Sequence, residues 1–148
     1  MVLLIGYGNT LLGDDGVGQA IALAVAARRP DIEVVTTHQL VPELAAQVAA
    51  ATQVVFVDAS RGDRPGAVHC GPVRADGPVR EGHILTPMAL MALTRAAFGW
   101  EPPAWLVTIE GRAFDIGSPI SEVVAAAVPG AIEQVLALLS SADQTRTA

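Results

Sequence analysis

Lysine is absent from this 148-residue chain, so all nine of its basic residues are arginine. That removes Schiff-base chemistry, a lysine general base and the lysine of a P-loop, and leaves acids, histidines and backbone amides to carry any reaction. Cysteine occurs once, at Cys70. An intramolecular disulfide and a thiolate zinc or iron–sulfur site built by this chain alone are therefore excluded, and a reducing compartment fits. Positive charge is scarce against a formal net charge of -6. No nucleic-acid partner is expected, because a phosphate backbone calls for clustered positive surface. The apolar runs are short or diluted with alanine, against the roughly 20 residues that cross a bilayer, so no membrane partner is expected either. The chain opens directly on the strand-like Val2 to Ile5, with no basic leader or small-residue cleavage site, and a cytoplasmic protein is expected.

With 51% hydrophobic and 16% charged residues, the chain suits one compact domain with a full core. Short β-branched runs alternate with longer stretches rich in alanine and leucine. Val2 to Ile5 reads as a strand and Val17 to Arg29 as a helix, followed by a strand at Ile32 to Thr37 and a helix at Val41 to Ala51. Val54 to Val57 is continuously apolar, as expected of a central strand covered on both faces, and stops at Asp58. Ala67 to Val73 reads as a fourth strand, Pro87 to Phe98 as a helix and Ala104 to Ile109 as the last strand. Ser121 to Leu139 reads as a final helix kinked by Pro129, with a polar tail over 140–148. The alternation predicts a single three-layer α/β domain over 1–139, with a mostly parallel, twisted five-stranded sheet and helices on both faces. In such sheets, sites gather at the strands' carboxyl ends.

Five glycines crowd the thirteen positions from Gly6 to Gly18, between the first strand and first helix. Gly6 and Gly8 permit a tight turn, and Asn9 tolerates unusual dihedrals. A dinucleotide fingerprint is disfavoured: its third glycine would fall at Leu11, and no acid follows the second strand at Thr36-Thr37-His38. Asp14 and Asp15 lie where a phosphate would approach the helix N-terminus, so they repel an anion and welcome a cation. One aspartate suffices to cap the helix, leaving the other for chemistry.

Asp58 stands at the end of a central strand and His83 on the same rim before the third helix. Two carboxylates and an imidazole from three loops form an oxygen and nitrogen set suited to nickel, zinc or manganese, with a coordination position open. His38 ends the second strand and approaches the same crevice. His69 and Cys70 read as buried or edge-strand residues. Met88, Leu90, Met91 and Leu93 read as core, and Trp100 and Trp105 as buried against the sheet. No Gly-x-Ser-x-Gly elbow exposes Ser60, and no His-Glu-x-x-His helix is present.

The pattern Gly6-x-Gly8-Asn9-x-Leu11-x-x-Asp14-Asp15-Gly16-x-Gly18, with Val57-Asp58-Ala59 and a histidine before the third helix, resembles the hydrogenase maturation endopeptidases. The likeness runs from Met1 to about Leu139. It includes His38-Gln39-Leu40-Val41-Pro42-Glu43-Leu44-Ala45 and a Gly-x-Pro-x-Ser-x-x-Val run at Gly117 to Val124. The resemblance implies a monomeric peptidase that removes the C-terminal extension from the large subunit of [NiFe] hydrogenase once nickel is inserted. It makes the large-subunit precursor the partner and Asp15, Asp58 and His83 the metal-contacting and catalytic residues, with Gly8, Asn9, Asp14 and His38 around the substrate. Asp15 stands where some members have glutamate, and Ser118 where many have an acid, so no role is carried over to Ser118. Nickel is then supplied by the precursor, while zinc or another divalent ion can occupy the site in vitro. A non-proteolytic module that senses nickel loading or escorts the large subunit uses the same ligands, and a third, weaker reading is a dinucleotide-binding oxidoreductase.

Overall fold

A computed structural model describes residues 1–75 and 84–147, with the backbone alone beyond Ser141. β1 (Val2–Tyr7) is buried throughout, and β3 (Gln53–Ser60) is buried over Gln53 to Val57. Alternating side chains of each strand supply two separate cores: Val2, Leu4, Val55 and Val57 on one face, Leu3, Ile5, Val54 and Phe56 on the other. This period-two division explains why the runs are continuously apolar rather than alternating. β2 (Glu33–Thr37) and β5 (Ala104–Glu110) flank them, and β4 (Val68–Val73) forms an edge, in the order β2-β1-β3-β5-β4. All neighbours pair in parallel except β4, which runs antiparallel to β5.

α1 (Val17–Arg28) and α4 (Glu122–Thr147) cover the first core, and α2 (Leu44–Ala50) and α3 (Pro87–Phe98) the second. α3 has clear local causes. The Thr86 hydroxyl accepts from the Ala89 N–H at 3.1 Å, Pro87 occupies the first turn, and Gly99 closes the helix in the left-handed region with φ of 80°. That reversal leaves Trp100 47% exposed, against the expectation that it is buried, while Trp105 on β5 is half-buried.

Most boundaries fall within one residue of those read in the sequence; β1 runs two residues further, to Tyr7, and three others differ more. α2 starts at Leu44, because Val41 and Pro42 close turns onto Leu44 and Ala45. β3 continues through Asp58 to Ser60, held by pairing of Asp58 with Thr108 and Ser60 with Glu110. α4 runs on to Thr147 through the stretch expected to be a polar tail. The 122–141 part of α4 is also long and apolar enough to cross a membrane by composition, with mean hydropathy 1.8. Its Val124, Ala131, Val135 and Leu139 form one fully buried stripe in the core, whereas its exposed positions carry alanine, glycine, proline and polar residues. That is the pattern of a helix facing a protein interior.

α1 lies unusually close to the sheet. A Cβ at Gly18 would run into the carbonyl oxygens of Val57 and Tyr7, and one at Gly6 into Gly18 and Ala22. Gly18→Ala is therefore expected to destabilise the domain by about 1–3 kcal/mol, because rigid backbone cannot yield as a side chain does. A lower urea midpoint with an unchanged m-value checks it.

Candidate active site

β1 pairs with β2 on one side and β3 on the other, and the pairing of β1 with β3 ends at Gly6 opposite Val57. Beyond that point the two chains part, β1 into its glycine-rich loop and β3 onward beside β5. This is the position at which an open α/β sheet forms its ligand crevice. A cavity of about 250 Å3 lies there, lined by Tyr7, Gly8, Asn9, Leu12, Asp15, His38, Gln39, Leu40, Asp58, Ile84 and Leu85.

Register brings Tyr7 and Asp58 together. Gly6 stands opposite Val57, so the next residue of each strand points to the same face, and the Tyr7 hydroxyl hydrogen-bonds the Asp58 carboxylate. Asp58 Oδ1 also accepts from the Ala59 N–H at 2.7 Å. Burial is the main influence on this carboxyl and pushes it up to about 7; the negative charge of Asp15 adds to the rise, while the bonds from Ala59 and Tyr7 oppose it. Burial, followed by the charge of Asp58, raises the Tyr7 hydroxyl, which remains a neutral donor.

Asp15 is positioned by the turn before it. Asn9 Oδ1 accepts from the Leu11 N–H at 2.9 Å, the side-chain turn typical of asparagine, while the Asn9 N–H donates to Asp15 Oδ2 at 2.7 Å. Gly8 has φ of 144°, and a Cβ there would strike the Asp15 carbonyl. Only glycine satisfies both requirements. Gln19 fastens this loop to β2: its Nε2 donates to Gly8 O at 2.8 Å and to Thr37 O at 2.9 Å, next to His38.

Asp14 behaves differently from its neighbour. The expectation that it contacts substrate is corrected: it is fully buried and faces away from the cavity lining. Its carboxylate accepts from the Arg112 and Ala113 N–H groups at 2.7 and 2.9 Å, and from the Ser121 N–H and hydroxyl at 2.7 and 2.8 Å. Burial alone would raise this carboxyl, but the four donors outweigh it and hold it below its ordinary value. Neither aspartate caps α1 through its side chain; both lie in the short 3-10 turn Gly13–Gly16.

The structure thus brings together Asp15, Asp58, Gly8, Asn9 and His38 and removes Asp14. His83 lies outside the described residues. Among the described residues no three His, Cys, Asp or Glu side chains form a metal-holding group; the two carboxylates of the expected three share the cavity. Two acids facing one partly apolar space are a chemical fit for a divalent cation, which would relieve their mutual repulsion. His69 lies on the edge strand, its Nε2 2.7 Å from Glu110 Oε2. Among the described residues the buried Ser60 Oγ has no hydrogen-bond partner.

Tyr7 and Gln19 were missed in the sequence. Each left a trace: Tyr7 is the sole tyrosine and sits between two glycines, and Gln19 is the one polar side chain of α1 ahead of Arg28.

No protein-family model matches the chain, and no curated protein matches it in sequence. Solved structures do. The hydrogenase maturating endopeptidase HybD from E. coli superposes with a TM-score of 0.78 at 24% identity, over 95% of this chain and 92% of that one. The [NiFe] hydrogenase maturation protease HybD from Thermococcus kodakarensis gives 0.75 at 23%, over 93% and 97%. HycI, a [NiFe] hydrogenase maturation protease from Thermococcus kodakarensis KOD1, gives 0.74 at 20%, over 94% and 92%. The chain has the fold of these proteins over almost its whole length.

Proposed function

We propose that this chain is a hydrogenase maturation endopeptidase, a cytoplasmic monomer that removes the C-terminal extension from the nickel-loaded large subunit of [NiFe] hydrogenase. The observation that carries the reading is the convergence of Asp15, from the turn after β1, and Asp58, from the end of β3, on one cavity at the sheet's switch point. The shared fold of the maturation proteases supports it.

In this reading nickel belongs to the substrate. Asp15, Asp58 and His83 contact it, and the bound ion supplies Lewis acidity toward a peptide carbonyl or water. The protein's part is orientation. The Asn9 N–H fixes Asp15, and Tyr7 and the Ala59 N–H fix Asp58, so both carboxylates meet the incoming ion without rearranging. Leu12, Leu40 and Leu85 line the same cavity and limit water, which strengthens attraction between cation and carboxylates. Hydrolysis adds one water across the scissile bond and leaves a new carboxylate and a new amine.

The test is mass spectrometry of nickel-loaded and nickel-free large-subunit precursors incubated with the protein. Shortening of the loaded precursor alone is expected. Equal cleavage of both would overturn the role of nickel as the readiness signal. A stable complex with no loss of mass would overturn the peptidase and leave an escort protein.

A further inference from the structure

A second cleft lies at the ends of β3 and β5, and it carries two arginines where the first carries two aspartates. Arg61 follows the end of β3 and Arg112 follows the end of β5, strands joined there by the Gly111 N–H donating to Ser60 O at 2.8 Å. The two arginines line a cleft of about 610 Å3 with Phe114, Asp115, Ser121 and Glu122. The Arg61 guanidinium is held 4.0 Å above the centre of the Phe114 ring. No described carboxylate makes an ion pair with either arginine, although Asp115 and Glu122 line the same space. In a chain of net charge -6, two guanidinium groups with free donors on one wall are a notable arrangement.

Three residues of the cleft's lining are tied to the buried Asp14, whose carboxylate accepts from Arg112, Ala113 and Ser121. Asp14 is bonded directly to Asp15, a wall of the acidic cavity. Between the two openings lies an apolar rim. Leu11 is 67% and Ile116 85% exposed, and the two loops are tied by the Gly117 N–H donating to Leu11 O at 2.8 Å. Leu11 adjoins Leu12 of the cavity and Ile116 adjoins Asp115 of the cleft.

We propose that the Arg61–Arg112 cleft binds an acidic side chain of the polypeptide whose backbone enters the Asp15–Asp58 cavity, with an apolar residue of that polypeptide resting on Leu11 and Ile116. The identity of the polypeptide as a precursor rests on the peptidase reading; the carboxylate chemistry does not. Each guanidinium presents a planar fork matched to a carboxylate. Asp115 and Glu122 offset the two positive charges, so the cleft lacks the positive excess that holds a polyanion such as nucleic acid, while the forks of the two guanidinium groups still accept one carboxylate.

The experiment follows the arginine side-chain N–H resonances by NMR during titration with three short peptides. The first is amidated and carries a glutamate after two leucines. The second has glutamine in its place. The third has neither but ends in a free carboxylate. The glutamate peptide is expected to shift Arg61 and Arg112 saturably, and the other two to bind about tenfold more weakly or less. Arg61→Gln and Arg112→Gln should each weaken the glutamate peptide about tenfold and raise KM for the nickel-loaded precursor. Equal binding of the glutamate and glutamine peptides would overturn the site, and tight binding of the third would assign it to a chain end. Processing of precursor without glutamate-peptide binding refutes the cleft and spares the peptidase. Binding without processing by the unaltered protein does the reverse.

Discussion

Asp58→Asn is expected to abolish precursor processing and, in the same protein, to make the domain harder to unfold above pH 7. If Asp58 contacts the reacting group as proposed, loss of its carboxylate should lower the rate about 100- to 10,000-fold. The stability gain has a separate cause. Burial and the neighbouring Asp15 charge push the Asp58 carboxyl up to about 7 in the folded protein, from an ordinary 3.8. The folded state therefore holds a proton that the unfolded chain releases, and the native domain loses stability as pH rises from about 4 through 7. Above 7 the cost of a buried charge is fully present, on the order of 2–4 kcal/mol. Asparagine is neutral at every pH and can still accept from Tyr7 and Ala59. The variant should melt roughly 5–15 °C above the unaltered protein at pH 8, and the difference should vanish near pH 4. Equal melting temperatures at pH 8 would show that Asp58 is not held in a penalised state, and retained processing would remove it from the site.

The adjacent pair Asp14 and Asp15 should respond in opposite ways. Asp14→Asn is expected to destabilise the domain by about 3–5 kcal/mol, because its amide group would face N–H and O–H donors that now bond an anion. The loop from Arg112 to Ser121 would lose its anchor. Asp14 is held below its ordinary 3.8, so its contribution is complete above that pH and disappears as pH falls through the lower folded value. Asp15→Asn, at a partly exposed position with one backbone bond, should leave stability nearly unchanged while processing is lost. Urea unfolding and hydrogen exchange at Arg112, Ala113 and Ser121 distinguish the two. If Asp14→Asn proves as stable as the unaltered protein, the anchoring role is wrong.

Much of this arrangement was legible in the sequence because its causes are local. Val54 to Val57 is apolar at every position, and only a strand covered on both faces uses such a run. Thr86-Pro87 opens α3 and Gly99 closes it, each through the backbone geometry that its residue type favours. Asp58 was visible as an acid following an apolar strand. Trp100 was misplaced because its exposure depends on the direction in which the chain leaves Gly99, which no neighbouring residue reveals.

By itself the amino-acid order determined the alternation of strands and helices, the three layers, and the concentration of glycine and acid after the first strand, since periodicity and turn chemistry act over a few residues. Only the tertiary structure decided which of two adjacent aspartates faces the cavity. Asp14 and Asp15 have identical side chains and neighbouring positions, yet one meets four donors from residues 112 to 121 and the other turns toward Asp58. The pairing of Tyr7 with Asp58 and the placing of Arg61 and Arg112 on one cleft were decided in the same way, by strand register across the sheet. Those arrangements join residues about fifty apart in the chain, and their geometry exists only once β1, β3 and β5 lie side by side.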